Sequence, residues 1–167
     1  MKFLKLIFTS IVVLFLLITC IGLLFSPHVT VMRSVNINAS KDSVYSMLID
    51  MNKWKEWMFD TSRSPKILSQ NSVGKGAQAQ VGKSKITIMQ TTDSSVESVW
   101  KTGKLHDQLC DFVISKDSKT PGVLVTWYFQ QHLNWYPWER IGAALNEKIL
   151  GPSMDTSFAH LKRRLEE

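Results

Sequence analysis

Residues 84–132 read SKITIMQTTDSSVESVWKTGKLHDQLCDFVISKDSKTPGVLVTWYFQQH. β-Branched and aromatic residues recur there in short runs separated by polar or Gly- and Pro-containing breaks, the pattern of strands joined by turns. Ser84–Thr92 alternates Ile86, Ile88 and Gln90 with Thr87, Met89 and Thr91, and further strands are expected at Val96–Thr102, Gln108–Ser115 and Val123–His132, with Lys116–Gly122 as a polar turn. Short strands at this spacing form an antiparallel sheet.

Upstream, Lys66–Val73 and Ala77–Val81 add two strands, bounded by the turns Gly74-Lys75-Gly76 and Gly82-Lys83. Gly74–Ala79 also fits G-x-G-x-x-A, but a dinucleotide loop must open a helix, and a β-like run follows here, so the pattern reads as a hairpin. Val29–Ile37 (VTVMRSVNI) reads as a first strand. Ser40 is an N-cap for a helix over Lys41–Asp50, where Val44, Leu48 and Met51 recur at helical spacing. Lys53–Met58 is expected to form a short second helix with Trp54 and Trp57 on one face.

Downstream, Ile141, Leu145, Ile149, Phe158, Leu161 and Leu165 make the apolar stripe of a long helix. Gly151-Pro152 is expected to kink or restart it, with Ser153 as the cap of the second part. The order of elements is strand, two short helices, six strands, long helix. It is satisfied by an α+β fold in which a strongly bent antiparallel sheet grips one long helix, a packing that tends to leave an apolar cavity.

Ahead of this body, Leu6–Phe25 (LIFTSIVVLFLLITCIGLLF) carries no charge and is flanked by Lys2 and Lys5. A helix of about 20 residues at about 1.5 Å rise matches a hydrocarbon layer of about 30 Å. The run is longer than the core of a cleaved secretory signal and ends in Leu23-Leu24-Phe25-Ser26-Pro27 rather than in small residues. Around Cys20 it stays apolar where a lipoprotein signal would turn polar. The expectation is therefore a permanent anchor at residues 1–28, with its span at about 6–25, and a soluble body at 29–167. Lys2 and Lys5 precede the span and the next basic residue after it is Arg33, so the N-terminus is expected inside and the body outside a single-pass cytoplasmic (inner) membrane. In a Gram-negative cell the outside is the periplasm.

The chain holds 20 Lys and Arg against 14 Asp and Glu; setting aside Lys2 and Lys5 leaves 18 against 14. That excess is dispersed, with no arginine-rich run, which argues against nucleic acid as a partner. Cys110 is the only cysteine outside the span, so the body forms no internal disulfide, and a buried strand residue is the expected role. His28, His106, His132 and His160 show no metal-ligand spacing such as H-E-x-x-H, so no metal is expected. There is no G-x-S-x-G nucleophile motif.

The chain resembles the START-like, or SRPBCC, superfamily, and within it the membrane-anchored polyketide cyclase/dehydrase-like proteins. The resemblance is carried by Arg33-Ser34-Val35-Asn36-Ile37, by Ala39-Ser40 and Val44-Tyr45, and by Asp50-Met51-Asn52-Lys53-Trp54-Lys55-Glu56-Trp57, which follows a D-x-x-x-W-x-x-W pattern. It continues in Val81–Ile88, in Val125-Thr126-Trp127 and in Leu150-Gly151-Pro152 through Leu161-Lys162, with Ser84 standing where relatives carry glycine. The resemblance implies a helix-grip fold around a ligand cavity and no required cofactor. Members bind lipids, sterols or polyketides, and only some catalyse reactions.

The residues themselves supply candidates for that site. Trp57 and Trp100 are candidate wall residues, because flat rings bury much apolar area. Tyr128 and His132, four apart on one strand face, are candidates for polar groups at the cavity mouth or, in a second reading, for the acid/base pair of a cyclase or dehydratase. The cluster Trp135-Tyr136-Pro137-Trp138 suits either the headgroup level of a bilayer or packing at the helix start. The leading expectation is a non-enzymatic, membrane-anchored domain that binds a lipid or other hydrophobic small molecule. The alternatives are a polyketide cyclase/dehydratase-like enzyme and a protein-interaction module at the membrane surface.

Overall fold

A computed structural model describes residues 2–58, 64–103, 107–116, 121–134, 136–143 and 146–167, with the side chains of 143 and 146 excluded. The chain runs α1 (Lys2–Leu23), β1 (His28–Ile37), α2 (Lys41–Ile49), a 3-10 turn (Lys53–Glu56), β2 (Lys66–Ile67), β3 (Gln78–Val81), β4 (Ser84–Thr91), β5 (Ser95–Thr102), β6 (Gln108–Lys116), β7 (Val123–His132), α3 (Pro137–Ala143) and α4 (Asn146–Glu166). The strands form one antiparallel sheet in the order β1-β7-β6-β5-β4-β3-β2, so the first strand closes against the last. Lys66–Val73 contributes only the two residues of β2, because Leu68 and Ser69 turn their amides onto the Gln78 carbonyl and Val73 forms an isolated bridge with Asp50.

Alternation along the strands assigns the faces. Val31, Ile37, Phe112, Ile114, Val125, Trp127 and Phe129 point into the concave side, where Met154, Phe158 and Leu161 of α4 meet them in one core. Ser40 caps α2 as expected, accepting from the Ser43 amide at 3.1 Å. Trp54 and Trp57 follow α2 into the core, and each indole N–H finds a backbone acceptor, the Leu48 carbonyl at 2.8 Å and the Met47 carbonyl at 3.3 Å.

The C-terminal helix does not restart at Gly151-Pro152. It runs through them from Asn146 to Glu166, and the division into two helices falls earlier, after Ala143. Gly151 has a different use: Arg33 of β1 reaches over it, with Nη2 2.6 Å from Glu147 and Nε 3.0 Å from Asp155. A Cβ at Gly151 would occupy the space of the guanidinium. Glu147, Gly151 and Asp155 share one helix face because they are four residues apart. The hydrogen bond to Glu147, followed by that to Asp155, pushes the Arg33 pKa above its ordinary value.

Gly122 opens β7 at φ 99°, and a Cβ there would collide with the Ile37 carbonyl oxygen. Gly122→Ala should destabilise the fold by about 1–3 kcal/mol from the backbone conformation alone, with the collision adding to it. Urea denaturation against the unsubstituted chain measures the loss.

Candidate functional site

Cross-strand register stacks the concave side chains in rows. The second row, Val31, Phe129, Cys110, Ser98 and Ile88, is buried throughout. The row beside it, nearest the start of β1, runs Val29, Gln131, Gln108, Trp100 and Ile86; the first four are half-buried and Ile86 is buried. This row combines an indole with amides. Trp100 Nε1 donates to Ser98 Oγ at 3.1 Å, its ring meets Phe129 edge-on at 6.0 Å, and Gln108 Nε2 donates to Gln131 Oε1 at 3.3 Å. Because β1 begins four residues beyond Leu24, this half-buried row lies at the end of the sheet that α1 joins.

The third row, beyond Val31 and Phe129, is filled by rings. Trp57 stands edge-on to Phe112 at 5.8 Å and to Trp127 at 6.2 Å, and Trp127 meets Phe158 of α4 at 5.8 Å. Trp57 has no exposed area, so it is a wedge between α2, the sheet and α4. Of the two expected tryptophans, Trp100 stands in the half-buried row and Trp57 in the solid core.

Tyr128 and His132 do not line the concave side. Their even-numbered positions on β7 alternate with the inward Trp127 and Phe129, which turns them to the convex face. Four residues of strand also hold their backbones roughly 13 Å apart, too far to act on one substrate atom as an acid/base pair. Tyr128 borders a convex hollow of about 190 Å³ with Met89, Val99, Leu109, Asp111 and Gln130. Asp111 Oδ1 is buried there with no hydrogen-bond partner among the described residues, and burial, followed by the neighbouring Glu97, pushes its carboxyl pKa up.

His132 instead faces His28 across the β1–β7 pair, Nδ1 to Nδ1 at 3.3 Å. Sequence spacing missed this pair because 104 residues separate the two, and only the strand register joins them. His106 and Trp135 lie outside the described residues. Among the described residues, no group of three or more His, Cys, Asp or Glu side chains is arranged to hold a metal ion.

Cys110, expected as a buried strand residue, lies under Trp127, whose Nε1 is 2.8 Å from Sγ. Burial pushes its thiol up to about 12. A nucleophilic role would need the reverse shift.

No family model matches the chain, and no curated protein matches it in sequence. Solved structures do match. A Thermobifida fusca protein superimposes with TM-score 0.67 at 14% identity, over 81% of this chain and 92% of that one. A Chromobacterium violaceum protein gives 0.62 at 11% identity, over 83% and 97%. The di-domain ARO/CYC StfQ from the steffimycin biosynthetic pathway gives 0.61 at 9% identity, over 83% of this chain and 51% of StfQ. The fold is the helix grip. At these identities the helix grip is what the chain shares with its neighbours, and its chemistry rests on its own residues.

Two outcomes follow from the packing. Trp57→Ala should cost about 3–5 kcal/mol of stability, as for other large-to-small core changes, read by urea denaturation. Cys110 should resist alkylation at pH 8 until the chain is unfolded. Its folded pKa lies above the unfolded value, so the unfolded chain ionises first. The contribution is therefore whole below about pH 9 and falls as pH rises toward about 12, by at most about 1.4 kcal/mol per pH unit.

Proposed function

We propose that the protein is a membrane-anchored carrier or receptor for a lipid-like or other hydrophobic small molecule, held on the concave face of the helix grip. The observation that carries this reading is the half-buried row Val29, Gln131, Gln108 and Trp100, which offers ring surface and amide groups at one end of a mainly apolar interior. Apolar ligand sites have this character: mostly apolar walls with a few polar groups that orient the ligand.

α1 is 22 residues long and apolar enough to cross a bilayer. With Lys2 and Lys5 on the inner side, it holds the binding body on the outer face of the cytoplasmic membrane. The linker from Leu24 to Pro27 keeps that body within a few residues of the lipid. A linker this short suits a ligand drawn from the bilayer itself.

The test is to express residues 29–167, extract the purified protein with solvent, and weigh it by native mass spectrometry. One apolar molecule per chain is expected, from cells or after incubation with a lipid mixture, and Trp100→Ala should lower its recovery with little effect on folding. If neither source loads the protein, the binding reading fails.

A further inference from the structure

α3 is amphipathic in the reverse sense for a helix on a water-soluble surface. Its charged side chains are the half-buried ones: the Asn134 amide donates to Glu139 at 3.2 Å, and Arg140 donates to the Asn134 carbonyl at 3.2 Å and to the Phe25 carbonyl at 3.3 Å. Its large apolar side chains point outward, with Trp138 58% and Ile141 38% exposed. The Tyr136 and Trp138 rings stack at 5.1 Å, 17° from parallel. A helix that turns its charges inward and its rings outward matches an apolar environment outside.

What lies outside follows from the contact with α1. Gly22 is the buried residue of that helix, and a Cβ on it would overlap Pro137, so the first turn of α3 rests directly on the α1 backbone. If Leu6–Phe25 fills about 30 Å of hydrocarbon at about 1.5 Å per residue, Gly22 lies within about one turn of the boundary. Anything packed on Gly22 shares that depth. Trp and Tyr rings concentrate at this level of a membrane, where the ring is apolar and the N–H or O–H is wet. The Leu133 amide, bonded to the Pro27 carbonyl at 2.8 Å, ties the end of β7 to the same junction.

We infer that α3 is a second membrane contact, lying in the headgroup layer against the last turn of the anchor and turning the half-buried end of the concave face toward the bilayer. This rests on the anchor reading proposed above. It makes the domain a body docked on the lipid surface rather than one swinging on a tether, and it directs the candidate ligand row to the lipid side. The occupant of the exposed face is the bilayer interface, because the covering surface must be apolar and must begin at the depth of Gly22.

The test uses the full chain in phosphatidylcholine vesicles whose acyl chains are brominated either near the headgroup or near the chain end. Trp138→Phe replaces an exposed indole with a phenyl ring without touching the core, so the emission difference between the two proteins isolates Trp138. That difference should be lost with bromines near the headgroup and kept with bromines near the chain end, and Gly22→Leu should restore it while the chain stays in the vesicle. A difference signal quenched by neither lipid, in protein that withstands a carbonate wash, overturns the α3 contact and leaves the anchor standing. Release by carbonate removes the anchor and this inference with it. Shielding of Trp138 from aqueous iodide without lipid quenching, together with self-crosslinking, would assign the face to a second copy and overturn the proposal. Quenching that persists in Gly22→Leu would overturn docking through Gly22.

Discussion

The pairing of β1 with β7 is the constraint on which the rest of the molecule depends. It closes the sheet with its first and last strands as neighbours, in the register Val31 to Phe129, Arg33 to Trp127 and Val35 to Val125. Because strand side chains alternate, a slip of one residue would turn Trp127 and Phe129 to water and bring Tyr128 and Gln130 inside. The register is held at both ends. Gly122 passes tightly beside the Ile37 carbonyl where β7 begins, and the Leu133 amide binds the Pro27 carbonyl where it ends.

The long helix takes its position from the same pairing. Arg33 crosses from β1 onto α4 and meets Glu147 and Asp155, one on either side of Gly151. Ion pairs this exposed contribute little stability as isolated contacts. Their value here is geometric, since a planar guanidinium held by two carboxylates one helical turn above and below a glycine admits few alternative alignments. Phe158 and Leu161 then fall into the core that holds Trp127. The concave side is thereby divided, with a ring-filled middle and a half-buried, amide-bearing end nearest the start of β1.

Much of this was legible in local pattern. The two-residue period of Ser84–Thr92, the strand run Val123–His132 and the Ser40 cap each produced the expected element, and the apolar run from Leu6 opens on one long helix. Misreadings arose where a tertiary contact overrode the local rule. Gly151-Pro152 reads as a helix break, yet the helix passes through because the glycine serves the approach of Arg33 and strand packing supports both sides. Lys66–Val73 has strand composition, but most of it is spent on contacts with Gln78 and Asp50. Trp57 and Trp100 look alike in the sequence. One is enclosed by Phe112 and Trp127, while the other stands at the edge of the sheet's interior.

The sequence by itself determined most of the strands and helices, that one segment has the length and polarity to cross a bilayer, and that the whole is an α+β helix grip, because periodicity and composition are properties of neighbouring residues. The tertiary structure alone decided which face of each strand is inside, and so that Tyr128 and His132 belong to the convex side. It alone brought His28 to His132 and Gly22 to Pro137. Alternation marks two faces on a strand without saying which will be covered. That choice is made by the element that packs against it, and α4 packs on β1 from more than a hundred residues away.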